Sequence, residues 1–505
     1  MDRFTNYIEE SLASVGDSRL LCDFKQKTLC DMKSRAKQVE KRGLRDKRDI
    51  EDLIIAEHPD LVNEYKSFSL KKKNGKTQEE RLPAELWDKM HYLFRDFNDR
   101  MVHTELRYDY RINVEALKTV LICFFEKTPV LHSSFKNNKI RPYWTVEDYG
   151  IDDVVTVKEV SKEALDKEIN DFLVQYIPPE SKIQMKVAVF NHGESSALCI
   201  VENHMCMDGG DLKYFTKELC AEYNDYIKSG KSPVGLRTGS RAYESVYQGF
   251  SPDEQKTARR LYRNINTSDS HAFPLTPADK NDYSFIARRK VPAETFDKMR
   301  VAGKKRGATV NDILLAVYFR SLYELAGFDS NESVSISCAI DLRRHIKDDS
   351  KLGMTNHTAW MQCKIPESGK DIFQTLDYSI RSSEQFKQDI FMGLHGLPLL
   401  NFGYRILPHA ASEKVIKIGY SNPHLAMSNV GALEPDKLAL EGHEPTHGFM
   451  SGSVKYKPYV LLTITSLRKE LTFSMCVRGN DEDKKIVEKF FDLIEKNIAV
   501  IASDE

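Results

Sequence analysis

The stretch Asn203-His204-Met205-Cys206-Met207-Asp208-Gly209-Gly210 contains an H-x-x-x-D-G sequence between a predicted strand and a predicted helix. A histidine at the end of a buried strand, with a carboxylate four residues later, is a candidate general base. The spacing alone is weak, because the chain has 14 histidines. A second H-x-x-x-D indeed runs from His345 to Asp349.

The sequence around each copy separates the two. Alternating apolar residues predict two strands, over 183–189 and 197–201, that form a hairpin leading directly into His204. After Gly210 the apolar residues recur at helical spacing. His204 is therefore expected where a buried strand ends and a glycine pair turns the backbone into a helix. The second copy, at His345, lies in a charged segment that predicts a surface loop.

Length and composition predict an ordinary globular protein with two large lobes. The chain has 505 residues, of which 41% are hydrophobic and 30% charged, and its formal net charge is -1. Several hundred residues exceed the usual size of one domain. A balanced charge gives no general attraction to nucleic acid or to anionic membranes, so no nucleic-acid partner is predicted.

Targeting signals and cysteines point to a cytoplasmic protein. No apolar run is long enough for a transmembrane segment, and the first residues lack the apolar core of a signal peptide. The nine cysteines are odd in number, widely spread and include no C-x-x-C pair. We therefore expect free, buried thiols rather than a disulfide framework or a zinc site. The expected oligomeric state is a monomer or a loose oligomer.

The first 80 residues differ from the rest of the chain. Basic residues outnumber acidic ones over 21–50 and apolar residues are sparse, which predicts a peripheral helical extension over 1–80 that ends near the lysine-rich 71–76. Its basic side chains form either a solvated helical face or a docking surface for an acidic partner.

The remaining sequence predicts two lobes, over 81–245 and 283–505, joined by a crossover over 246–282 that is rich in proline, serine and charged residues. In the second lobe Thr309 precedes a long apolar helical repeat, with Asp312 three residues later, as at a capped helix start. Helices and strands mix without regular alternation. This pattern favours an α+β fold over a doubly wound parallel sheet.

Five landmarks in order give the chain a family resemblance. It resembles the chloramphenicol acetyltransferase-like superfamily of HxxxD acyltransferases, which includes peptide-synthetase condensation domains, alcohol O-acetyltransferases and wax-ester synthases, and the resemblance covers roughly 82–501. The landmarks are Thr128-Pro129-Val130-Leu131-His132-Ser133-Ser134-Phe135, Asn203-His204 to Gly209, Gly307-Ala308-Thr309-Val310-Asn311-Asp312, Asp341-Leu342-Arg343 and Ser428-Asn429-Val430-Gly431.

The resemblance implies two lobes, each a mixed β-sheet flanked by helices, with an active-site channel between them. It also implies acyl transfer from a thioester donor, either acyl-CoA or an acyl carrier protein acting in trans, to a small-molecule hydroxyl or amine acceptor. No tightly bound cofactor or metal is expected. His204 is the implied general base, and an unperturbed histidine, with a pKa of about 6.5, is suited to that role.

The remaining site residues are expected to support this histidine or to line the channel. Asp208 is expected to hold the loop through a partner, either Arg343 or His132. Arg343 is favoured because a guanidinium fork binds a carboxylate better than an imidazole does. A direct pair between Asp208 and the imidazole of His204 is the less favoured alternative. Gly209 and Gly210 are expected to offer amide groups to an oxyanion. Further channel candidates are Asn203, Ser428 and Asn429. Cys206 is interpreted as a packed thiol rather than a nucleophile.

Two alternatives to acyl transfer remain. A non-catalytic homologue, acting as a scaffold or binding protein, would explain why Asn203 and His132 depart from the family pattern. The sequence His443-Glu444-Pro445-Thr446-His447 also matches the H-E-x-x-H signature of zinc proteases. That signature requires a helix, which Pro445 and the flanking glycines disfavour.

Overall fold

The computed structural model describes residues 3–15, 19–40, 47–58, 60–66, 80–266, 269–419 and 422–504. Three N-terminal helices, α1 (Arg3–Leu12), α2 (Arg19–Glu40) and α3 (Lys47–Ala56), and a short helix α4 over 61–66 form a group with an apolar cluster of their own. The described parts of this N-terminal segment are mainly helical. Its predicted end at 71–76 lies outside the described residues.

The first lobe is built on a five-stranded mixed sheet. Its strands are β2 (Met101–Tyr108), β5 (Val155–Glu159), β6 (Met185–His192), β7 (Ser195–Asn203) and β12 (His447–Ser451), in the order β12-β2-β7-β6-β5. The β6–β7 hairpin pairs in antiparallel register from Met185 to His192. A small sheet of β1 (Arg81–Pro83), β3 (Ser133–Lys136) and β4 (Tyr143–Val146) lies beside it.

Helices accompany the first sheet along the chain. They are α5 (Leu86–Leu93), α6 (Val114–Lys127), α7 (Ile151–Val154), α8 (Lys162–Leu173) and α9 (Gly209–Ser229). Of these, α5 packs in an apolar cluster with Leu342 and Leu397 of the second lobe. The apolar faces of α6 and α9 pack on the sheet in one continuous core that contains Phe124 and Phe215. That core fixes the point at which β7 ends and α9 begins.

The second lobe has a seven-stranded mixed sheet. The strands are β8 (Tyr283–Val291), β9 (Val334–Asp341), β10 (Thr358–Ile365), β11 (Leu425–Leu433), β13 (Lys455–Tyr456), β14 (Val460–Leu467) and β15 (Glu470–Gly479). The flanking helices are α11 (Ala293–Lys305), α12 (Val310–Ala326), α13 (Ile372–Lys387), α14 (Leu397–Ile406), α15 (His409–Gly419) and α16 (Asp481–Ala502). Thr309 and Asp312 form the predicted capping box of α12.

The α+β fold with two sheet-based lobes is therefore confirmed. The two sheets are not cleanly divided along the chain, because β12 leaves the C-terminal half and pairs with β2 of the first lobe, from His447 opposite Arg107 to Ser451 opposite His103. The crossover over 246–282 contains a short helix, α10 (Pro252–Ala258). No helix within the described ranges has the length and apolarity needed to cross a membrane.

The charged residues 347–351 are exposed, as predicted, whereas His345 itself departs from the surface-loop prediction. The residue ends a 3-10 turn, Leu342–His345, and is only 8% exposed. Its Nε2 lies 2.9 Å from the carbonyl oxygen of Met392, and its ring packs on Phe250. The sequence pattern missed this because the burying residues are distant along the chain.

Candidate active site

A cavity of about 660 Å³ lies between the two lobes. His204 and the start of α9 reach it from the first lobe, whereas Arg343, Ser428 and Thr463 line it from the second. The remaining wall is largely apolar and includes the indole rings of Trp87 and Trp360. The predicted histidine thus faces an internal space large enough for a small ligand.

Backbone hydrogen bonds hold the position of His204. The residue follows the last residue of β7, and its N–H donates to the carbonyl oxygen of Arg100 at 2.7 Å. Its own carbonyl oxygen accepts from Asn356 Nδ2, also at 2.7 Å. Because Asn356 belongs to the second lobe, both lobes fix the backbone of this residue.

The imidazole of His204 is half-buried at the cavity wall. Burial lowers its pKa, because the charged form loses hydration, while the negative charge of Asp208 opposes that effect. The ring stacks on that of His91, with centroids 4.2 Å apart. Burial, followed by the proximity of His204, also keeps the pKa of His91 well below its usual value. Both shifts favour the neutral form of the two rings.

Asp208 is occupied by contacts other than the His204 imidazole. Its two carboxylate oxygens each accept from the guanidinium of Arg343 at 3.0 Å. They also accept from the backbone N–H of Asp211 at 3.0 Å and of His357 at 2.6 Å, and from the hydroxyl of Thr358 at 3.1 Å. Asp208 thereby caps α9 and ties it to the second lobe.

The charge of Asp208 is well compensated. Burial acts to raise the pKa of its carboxyl, but the guanidinium of Arg343 and the hydrogen bonds outweigh it and hold the pKa below its usual range. Arg343 Nη2 also lies 2.9 Å from Asp211 Oδ1. Of the two partner candidates, Arg343 is the residue that meets Asp208. His132 instead places its Nδ1 2.8 Å from the carbonyl oxygen of Glu147.

Gly209 and Gly210 form the first turn of α9 and line the cavity. The amide groups of a first helical turn have no partners within the helix, and the helix dipole favours negative charge there. A Cβ atom on Gly210 would lie 3.0 Å from Arg343 Nη1, whereas one on Gly209 would meet nothing within 4 Å. Close packing therefore limits the side chain at position 210 and not the one at position 209.

Of the other channel candidates, two line the cavity and one does not. Ser428 and Asn429 of β11 line the cavity, and Asn429 Nδ2 donates to Asn311 Oδ1 at 2.5 Å. Asn203 does not face the cavity, which corrects the expectation for it. Its fully buried amide donates to Gln184 Oε1 at 2.8 Å and accepts from the backbone N–H of Met205. It shapes the loop that carries the histidine.

Cys206 and the histidines of the H-E-x-x-H sequence do not line the cavity. The thiol of Cys206 is fully buried, lies 3.7 Å from the carbonyl oxygen of Val130, and has a pKa raised by burial. His443 stacks on Tyr110 at the surface, and His447 begins β12. The intervening residues are not helical, so the two histidines do not share a helix face as the protease signature requires.

Two features of the site could not be identified from the sequence motifs. His91 is an isolated histidine on α5, more than 100 residues before His204, and Lys455 lies in the two-residue strand β13. Both line the cavity. The sequence offered one weak indication of this site, the histidine at position 91, because a lone histidine on an apolar helix face is also compatible with simple packing.

The sequence of the chain is similar to a known protein family and to one described protein. The family described as "Condensation domain" matches residues 94–356, about half of the chain. Bacitracin synthase 3 from Bacillus licheniformis is 23% identical over 265 residues, which are 51% of this chain and only 4% of that protein. The chain thus corresponds to a small part of that relative.

Solved structures share the fold. The first condensation domain of the CDA synthetase has a TM-score of 0.60 at 14% identity, covering 85% of this chain and 98% of that one. The TRI3 trichothecene 15-O-acetyltransferase from Fusarium sporotrichioides has a TM-score of 0.60 at 14% identity, with 82% and 94% covered. Polyketide synthase associated protein 5 from Mycobacterium tuberculosis has a TM-score of 0.59 at 13% identity, with 84% and 99% covered. With residues 94–356 matched and the two-lobed fold shared, the chain belongs to the condensation-domain family.

Proposed function

We propose that the protein is an acyltransferase that moves an acyl group from a thioester to a hydroxyl or amine, with His204 as general base. The observation that supports this most is the half-buried imidazole of His204, with its lowered pKa, at the wall of an inter-lobe cavity beside the first turn of α9. A neutral imidazole that faces a ligand-sized cavity is suited to accept a proton from an attacking group.

The reaction balances without a covalent enzyme intermediate. The acceptor oxygen or nitrogen attacks the thioester carbonyl carbon as His204 takes its proton, and a new C–O or C–N bond forms. The C–S bond then breaks, and His204 returns the proton to the leaving thiolate. The amide groups of Gly209 and Gly210 are the donors we assign to the developing oxyanion.

Asp208 has a positioning role in this proposal. Its carboxylate is engaged by Arg343, His357 and Thr358, so it holds α9 against the second lobe instead of contacting the proton in transit. Its charge nevertheless favours the imidazolium that forms during the reaction. The donor is either an acyl-CoA or an acyl group on a carrier protein acting in trans.

The test is acyl transfer by the purified protein. Short, medium and long acyl-CoAs and the matching carrier-bound acyl groups are offered with alcohol, amine, hydroxy-acid and amino-acid acceptors, and released thiol and acylated product are both quantified. His204→Ala is expected to abolish transfer, whereas His443→Ala, which changes an exposed histidine, retains it. Full turnover by His204→Ala would disprove the mechanism. If no combination reacts, the scaffold alternative stands.

A further inference from the structure

Lys455 places an ammonium group inside the cavity wall. The residue lines the same space as His204 and is half-buried there. Among the described residues, its Nζ has neither a hydrogen bond nor an ion pair, although most other buried cations of the protein are paired; Lys457, two residues later, contacts both Asp282 and Asp483 at 2.9 Å. An unpaired ammonium at a cavity wall attracts anions, so a partner from outside the chain is the natural expectation.

Asn98 provides a second donor beside Lys455. The two residues face each other across an antiparallel bridge, which puts their side chains next to one another, and both line the cavity. Asn98 Oδ1 already accepts from the backbone N–H of Arg100 at 2.9 Å. The remaining Nδ2 of Asn98 can only donate. The wall thus presents two adjacent donors, one of them charged.

Asp99, the carboxyl that most favours the charged form of Lys455, makes no ion pair with it among the described residues. Asp99 Oδ1 accepts from the backbone N–H groups of Met101 at 2.9 Å and Val454 at 3.0 Å, and burial raises the pKa of this carboxyl to about 7. Burial also lowers the pKa of Lys455 to about 8, against the opposing influence of Asp99 and Cys476. An anion entering the cavity would restore the favourable environment that the ammonium lacks.

We propose that Asn98 and Lys455 form a carboxylate-binding subsite of the cavity, so that one of the two reactants carries a free carboxylate. Two adjacent N–H donors match the two oxygens of one carboxylate. The identity of the reactant as an acyl-transfer substrate rests on the function proposed above. The carboxylate could belong to the acceptor, as a hydroxy or amino acid, or to the donor, as the thioester of a dicarboxylic acid.

Binding is tested first, without catalysis. Two of the protein's three tryptophans, Trp87 and Trp360, line the cavity, so their fluorescence reports its occupancy. Octanoate and octan-1-ol are the probes, because they differ in the carboxylate alone. We expect Lys455→Met to weaken octanoate binding by about tenfold or more, as for loss of a charged hydrogen bond, and to leave octanol binding unchanged.

Two further variants keep this test decisive. Lys485→Met, on the exposed face of α16, is the matched control and should bind octanoate like the unchanged protein. Asn98→Asp places a carboxylate opposite Lys455 and should exclude octanoate while the protein stays folded, as monitored by thermal unfolding. The subsite is overturned if Lys455→Met and the unchanged protein bind octanoate equally well, or if octanol binding falls in parallel.

Turnover then separates the two sources of the carboxylate. If the acceptor carries it, Lys455→Met lowers the pH-independent plateau of kcat/KM for a hydroxy acid and not for the matching alcohol. If the donor carries it, the same variant affects a glutaryl thioester and not a butyryl thioester. His204→Ala should bind octanoate normally. Selective octanoate binding without any acyl transfer would therefore reject the proposed function alone, whereas acyl transfer that is indifferent to Lys455→Met would reject the subsite alone.

Discussion

The imidazole ring of His91 stacks on that of His204, with an interplanar angle of 24°. His91 comes from α5, before the first strand of the lobe sheet, and His204 follows β7. Since the His204 ring has few polar contacts, the stacked neighbour restricts its orientation, and we treat His91 as a positioning residue.

Substitution of His91 should therefore depend on ring shape. His91→Phe keeps a flat ring against His204 and is expected to retain kcat within a few-fold, whereas His91→Ala should lower kcat by about tenfold or more, through loss of orientation. Steady-state kinetics on both variants measure this. Equal loss in the two variants would instead assign a proton-transfer role to His91, and the Phe variant would then also change the pH profile.

The pH dependence of turnover should report a depressed histidine pKa. Burial lowers the pKa of His204, Asp208 opposes this, and Lys455 lowers it further. Only the neutral ring accepts a proton, so kcat/KM should already be on its plateau at pH 7 and should fall as pH drops below about 6.5, the ordinary histidine value.

A charge variant checks this assignment. Lys455→Met removes a positive charge near His204, so the acid limb of kcat/KM for a neutral substrate should move to higher pH. Lys485→Met, far from the cavity, should leave the limb in place. A limb above the ordinary histidine value in the unchanged protein would show that another group controls the rate.

Local sequence patterns predict only part of this site. The strand, glycine turn and helix around His204 follow from the spacing of apolar residues, and Arg343 was a candidate because it stands in an ordered motif. His91 and Asn98 lie more than 100 residues before the motif histidine, Lys455 lies far after it, and none of the three carries a local signature. The transfer of β12 to the first lobe is equally invisible, because strand pairing over such a separation is decided by tertiary packing.

The pair of Arg343 and Asp208 should be essential for stability. Arg343→Met leaves the carboxylate of Asp208 buried without its partner, and we expect it to lower the free energy of unfolding by about 3–5 kcal/mol. Urea unfolding measures the loss. Arg344→Met, at the exposed neighbouring residue, is the control and should change little. An equally small effect of both substitutions would contradict a structural role for the pair.

The pair of Arg343 and Asp208 should also make the free energy of unfolding depend on pH in the acid range. Because the pKa of Asp208 is held below its usual range in the folded protein, its stabilisation is complete above the unfolded value of about 4 and is lost as pH falls through the lower folded value. Asp208→Asn should flatten the stability curve in that acid range. An unchanged slope would show that Asp208 titrates normally.

The two glycines that start α9 offer a matched comparison of packing. A methyl group on Gly210 presses on Arg343 and Asp208, so Gly210→Ala should destabilise the protein by about 1–3 kcal/mol, as overpacking does. Gly209→Ala meets open space and should be neutral or slightly stabilising, since alanine is favoured in helices. Thermal unfolding of both variants gives the readout. Equal stability of the two would show that the close approach to Arg343 does not constrain this helix start.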